Sequence, residues 1–182
     1  MKPDGTRRSH RATSGLTISL AALAAALLAA CATPDFAPAP TVVVPPIATP
    51  QVVQATLRSL NFDQREDGYH LSLPAPLIFP FDSTELSPEA RDILLNVGRE
   101  LNDLGIDRAL VYGYTDSVGP PQYNVALSTR RAEMVARAVA DGGYPASRVV
   151  VKGLGASLPI ADNSTALGRS QNRRVVIIVQ MP

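Results

Sequence analysis

The feature that most constrains this chain is a change of hydrophobic period that repeats from about residue 68 onward. Residues 69–73 alternate apolar and polar side chains, the two-residue period of a strand with one buried face. Ala90, Ile93, Leu94, Val97, Leu101 and Leu104 then recur at steps of three and four, the stripe of a helix. Ser87 suits its N-cap, Pro88 its first position and Glu89 the positive end of its dipole, and Gly105 ends it. Residues 109–113 read as a short buried strand. Residues 121–141 read as a second helix, with Tyr123, Leu127, Ala132, Val135 and Val139 on its apolar stripe and Gly142 and Gly143 as its stop. Residues 149–151 and 175–179 are third and fourth strands. The order β-α-β-α-β-loop-β predicts an α/β (α+β) domain over 68–182, a mixed sheet with two main helices packed on one face.

The chain ahead of this domain is of another kind. Four basic residues within positions 2–11 precede an uncharged Leu/Ala run over 16–30, the layout of a secretory signal. The run is shorter than the roughly 20 residues a spanning helix needs. It ends in Leu28-Ala29-Ala30-Cys31, which resembles the lipobox of bacterial lipoproteins. That resemblance implies cleavage before Cys31, acylation of Cys31, insertion into a lipid bilayer and, with Ala32 following, sorting to the outer membrane. Each buried methylene adds about 0.8 kcal/mol, so three acyl chains anchor almost irreversibly. Cys31 is the only cysteine, which excludes an intramolecular disulfide and a multi-cysteine metal site.

Residues 31–67 are expected to form a Pro/Ala-rich tether and a transitional segment. Pro34, Pro38, Pro40, Pro45, Pro46 and Pro50 favour extended backbone, at about 3.1 Å per residue, so 32–50 reach roughly 50–60 Å. Val52, Val53, Leu57, Leu60 and Phe62 mark a short helix or strand packing on the domain. Without residues 1–30 the chain carries a charge of about −2. It has no tryptophan, so neither a basic surface nor a stacking platform argues for nucleic acid.

Candidate binding residues cluster in 113–135 and 153–177. Asp116 lies just past a strand end. Asn124, Ser128 and Arg131 recur at i, i+4 and i+7 on one helix face. A carboxylate and a guanidinium in one cleft complement a zwitterion: an ammonium docks on Asp116 and a carboxylate takes the fork of Arg131. The blander readings are a turn residue for Asp116, in Asp-Ser-Val-Gly, and a structural salt bridge between Asp116 and Arg131. Arg130 reads as a solvated charge, Arg174 as structural and His70 as a surface residue.

Gly113-Tyr114-Thr115-Asp116, Asn124, Leu127-Ser128, Arg131-Ala132 and Asn172-Arg173-Arg174-Val175 together resemble the OmpA-like C-terminal domain family. The family includes the peptidoglycan-associated lipoprotein and the periplasmic part of flagellar stator proteins. The resemblance runs from Phe79 onward. It implies a non-enzymatic outer-membrane lipoprotein, without cofactor, that binds peptidoglycan stems at diaminopimelate and tethers the membrane to the wall. It further implies Asp116 and Arg131 as principal contacts, Thr84 and Asn124 as lining residues, and Arg173 as a second cation for a stem carboxylate. Tyr114 departs from the pattern, which usually has histidine there, and is expected to support the site from behind.

Two other classes compete. A cell-wall hydrolase would need a nucleophile with a base, or a carboxylate pair such as Asp82 with Asp116. Ser117, Ser128 and Ser157 lie far along the chain from His70, the only histidine after the signal, and no nucleophile-elbow motif is present. A signalling or recruiting lipoprotein would use the same domain and engage a periplasmic protein partner, with residues 51–67 supplying specificity.

Overall fold

A computed structural model describes residues 48–80 and 83–181. The signal over 1–30, Cys31 and the tether up to residue 47 lie outside the described residues.

The strands obey the two-residue period. In β3 (Ala109–Tyr114) the side chains of Ala109 and Val111 are fully buried on one face. In β5 (Arg174–Val179), Val175, Ile177 and Val179 do the same, and in β2 (Gly68–Pro74), Tyr69, Leu71 and Leu73. Together with β1 (Asp63–Arg65) and β4 (Val149–Gly153) they form one five-stranded sheet in the order β1-β2-β5-β3-β4. Only β3 and β4 run parallel; β5 is antiparallel to both β2 and β3.

Two long helices cover the buried face. Around them α1 (Pro50–Ser59), α2 (Ala75–Ile78) and α5 (Ala166–Asn172) are short. The first long helix, α3 (Pro88–Asp103), starts where Ser87 accepts a hydrogen bond from the Ala90 N–H at 3.1 Å, a cap that contributes about 1 kcal/mol. It buries Leu94, Val97 and Leu101, each contributing about 1.5–3 kcal/mol. The second, α4 (Pro121–Asp141), buries Ala132, Val135 and Val139. A Cβ at Gly113 would collide with the Ser128 carbonyl oxygen, so α4 lies against β3 as closely as backbones allow.

Two expectations need correction. The domain does not begin at 68. The short helix expected to pack on the domain is α1, whose Val53 and Leu57 are fully buried in the main core with Phe62, and β1 pairs with β2, so the fold includes 50–65. His70 is not a surface residue: it is buried, with Nε2 2.8 Å from Asp67 Oδ1. The strand over 174–179 is also preceded by α5, where the sequence pattern shows only a loop.

The other face of the sheet carries a smaller apolar cluster of Tyr114, Val176 and Ile178. Arg174 lies there with its guanidinium carbon 3.8 Å from the Tyr114 ring centroid, a cation–π contact. Burial pushes the Arg174 pKa down and the Tyr114 pKa up. Arg174 donates to the carbonyls of Asn172 and Leu158, which gives it the structural role its position suggests. Among the described residues no helix is long and apolar enough to cross a membrane.

Candidate functional site

The site forms where β3 ends and α4 begins. Asp116 follows β3 in a turn, and its Oδ1 accepts from the Val118 N–H at 3.0 Å. A carboxylate in such a turn is ordinarily solvated, but Asp116 is only 8% exposed. Its burial is compensated by Arg173, whose Nη1 donates to Asp116 Oδ2 at 2.7 Å. Sheet register creates this pair. Tyr114 of β3 lies opposite Arg174 of β5, so the residue before β5 meets the turn after β3.

Asn124 clamps the same turn from α4. It is buried, and its Nδ2 donates to the carbonyls of Asp116 at 3.4 Å and Val118 at 3.0 Å. Arg131 lies two turns further along α4, its guanidinium carbon 5.3 Å from the Phe79 ring centroid. Thr84 is half-buried in the stretch between Phe79 and α3, beside a turn in which the Glu85 N–H donates to Ser83 Oγ at 2.9 Å. The structure therefore gathers Asp116, Asn124 and Arg173 by direct bonds. The salt bridge on Asp116 comes from Arg173.

Ser128, on the same helix face as Asn124, is fully buried. Its hydroxyl donates to the Val125 carbonyl at 2.8 Å and accepts from the Gly155 N–H at 3.0 Å. Both its capacities are used, which makes it a tie between α4 and the loop after β4. Next to it an open groove of about 370 Å³ is lined by Ser117, Gly119, Asn124, Val125, Leu154 and Ala156, among others.

Among the described residues each Asp116 oxygen accepts one hydrogen bond, which leaves it a further lone pair. Of the five N–H donors of Arg173, one is bound to Asp116, and a third of its side chain is exposed. The arrangement can accept from an ammonium and donate to a carboxylate. Among the described residues no three His, Cys, Asp or Glu side chains come together as a metal site.

Residues 78–173, more than half of the chain, match the sequence profile of the OmpA family. The chain belongs to the OmpA family. The outer-membrane lipoprotein YfiB of Pseudomonas aeruginosa is 41% identical over 125 residues, 69% of this chain and 74% of that relative. A MotB-like protein of Desulfovibrio vulgaris shares the fold with a TM-score of 0.64 at 22% identity, over 72% of this chain and 94% of that one. The peptidoglycan-associated lipoprotein of Burkholderia pseudomallei superposes with a TM-score of 0.53 at 29% identity, over 60% and 89%.

Within this OmpA-family domain, one residue beside Asp116 escaped the sequence reading. Asn163 accepts from the Ser117 N–H at 3.2 Å. The available signal was Asn172, buried and one position before Arg173, whose side chain zips the preceding loop closed.

Proposed function

We propose that this protein is an outer-membrane lipoprotein, held by an acylated Cys31, whose OmpA-family domain binds peptidoglycan without covalent chemistry. The ligand is the zwitterionic head of diaminopimelate in the stem peptide. Its ammonium docks on Asp116 and its carboxylate on the cations Arg131 and Arg173, with Asn124 and Thr84 lining the site. The protein ties the outer membrane to the wall.

The observation that carries this reading is the buried Asp116 carboxylate. It is flanked by a guanidinium, clamped by Asn124 and, among the described residues, left with acceptor capacity on both oxygens. The names of the relatives, an outer-membrane lipoprotein and a peptidoglycan-associated lipoprotein, support the ligand class and the location. Charge-assisted hydrogen bonds contribute about 1.5–3 kcal/mol each, so a single site binds weakly. Attachment to a polymer beside a membrane anchor raises the effective concentration and offsets this.

Co-sedimentation with purified sacculi tests the reading. The wild-type protein pellets with sacculi, and sacculi whose diaminopimelate carboxylates are amidated retain less of it. Equal retention on free and amidated walls removes the two arginines from the role given to them.

A further inference from the structure

We propose that Asn163 is a positioning residue of the stem-peptide site, holding the Asp116 turn in its binding geometry through its side-chain oxygen. This inference rests on the binding reading above.

Asn163 is fixed from behind. Asn172 Nδ2 donates to Asn163 Oδ1 at 2.9 Å, and Arg169 Nη1 donates to the backbone carbonyls of Asn163 and Ser164, each at 3.0 Å. Asn172 is itself immobile: fully buried, it accepts from the Ile160 and Ala161 N–H groups and donates to the Ala161 carbonyl. A Cβ at Gly168 would collide with the Asp162 carbonyl oxygen, so α5 packs directly on this loop.

From that platform Asn163 Oδ1 reaches forward to the Ser117 N–H at 3.2 Å. Ser117 is the middle of the turn. The residue before it carries the ligand-facing carboxylate, and the residue after it donates to that carboxylate. If the Ser117 peptide plane turns, Asp116 Oδ1 loses the Val118 N–H and the carboxylate rotates about its contact with Arg173.

The junction of α5 and β5 thus grips the turn twice. One grip is direct, Arg173 to Asp116. The other runs from Asn172 through Asn163 to Ser117. Two grips on adjacent residues fix the orientation of the carboxylate, which one grip leaves free to swivel. An oriented acceptor binds more tightly because less freedom is lost when the ligand arrives. Asn163 achieves this without touching the ligand.

The side-chain hydrogen bonds with Ser117 and Asn172 both end on the Asn163 oxygen, so aspartate at this position keeps them and alanine does not. The test is titration of the detergent-solubilised full chain with the tripeptide L-alanyl-γ-D-glutamyl-meso-diaminopimelate, at a temperature well below unfolding of every variant. Asn163→Ala weakens binding about tenfold, the loss of one ordering hydrogen bond. Asn163→Asp restores it to within about threefold of wild type. Amide exchange at Ser117 accelerates in the alanine variant and stays slow in the aspartate variant. Wild-type affinity in Asn163→Ala overturns the assignment, and so does an aspartate variant as weak as the alanine one. Asp116→Ala runs alongside: if it binds the tripeptide like wild type, the site reading itself fails and the assignment with it.

Discussion

Two turns in this domain are built in the same way on an aspartate. Asp116 accepts from the N–H of Val118, and Asp162 accepts from the N–H of Ser164 at 2.8 Å. Around Asp162 every bond comes from close by: its second oxygen takes the Ser164 hydroxyl, and Thr165 donates to the Asp162 carbonyl and caps α5 by accepting from the Gly168 N–H. Asp162 itself is exposed. Around Asp116 the balance is reversed. The carboxylate is buried, its second oxygen is held by an arginine 57 positions away, and the neighbouring Thr115 hydroxyl is buried with no hydrogen-bond partner among the described residues. The Asp162 turn satisfies its carboxylate from nearby residues and presents Asn163 to the Asp116 turn. A turn that keeps polar capacity in reserve, at a cost in stability, is the one suited to a ligand.

The strongest way to break this comparison is to remove each aspartate in turn. Asp116→Ala lowers affinity for the diaminopimelate tripeptide by about tenfold to a hundredfold, the worth of a charge-assisted hydrogen bond. Asp162→Ala, which acts only through the placement of Asn163, lowers it by less than about tenfold. Calorimetric titration of both variants decides the matter, and equal losses would show that the two turns do the same work.

The two threonines give a smaller effect of opposite sign. Thr165→Val removes a used N-cap and costs about 1 kcal/mol. Thr115→Val removes a buried hydroxyl that bonds to none of the described residues, and stabilises by about 1 kcal/mol. Urea unfolding of the pair measures both, and a destabilised Thr115→Val would mean that its hydroxyl is engaged after all.

The smallest effect is on acid stability. The hydroxyl and the N–H of Ser164 hold the Asp162 carboxyl below its ordinary range. A lowered folded-state pKa contributes stability that is present above the unfolded value and is lost as pH falls through the folded one. The melting-temperature gap between wild type and Asp162→Asn is therefore widest near neutrality and narrows as pH falls below the ordinary aspartate value of about 3.9. A constant gap across that range sinks the assignment.

What was legible in the sequence follows physical lines. The strands over 69–73, 109–113 and 175–179 and both long helices announced themselves because their burial has a period, and Ser87 and Gly105 punctuate one of those helices. The short α1 was harder to read, since only Val53 and Leu57, one turn apart, reach the core. The seven residues of α5 are mostly polar or small and bury only Gly168 and Asn172. At the site, Asp116, Asn124 and Arg173 stood out one at a time, while their connections did not. The Asp116–Arg173 pair needs β5 beside β3 in a specific register, and the Asn163 contact needs the loop after β4 folded over the turn. Neither follows from spacing along the chain.

The order β1-β2-β5-β3-β4 puts the last strand of the domain at the centre of its sheet. A chain that emerges N-terminus first can form the β1-β2 ribbon and the β3-α4-β4 unit early, but no strand pairing joins them until residues 174–179 arrive. Closure of such a long loop is slow, and both halves expose unpaired edges while they wait. Arg173 enters with that strand, so Asp116 gains its counter-ion at the moment the halves join. Maturation of the site and completion of the fold are a single kinetic event, and a chain truncated before β5 is left with neither.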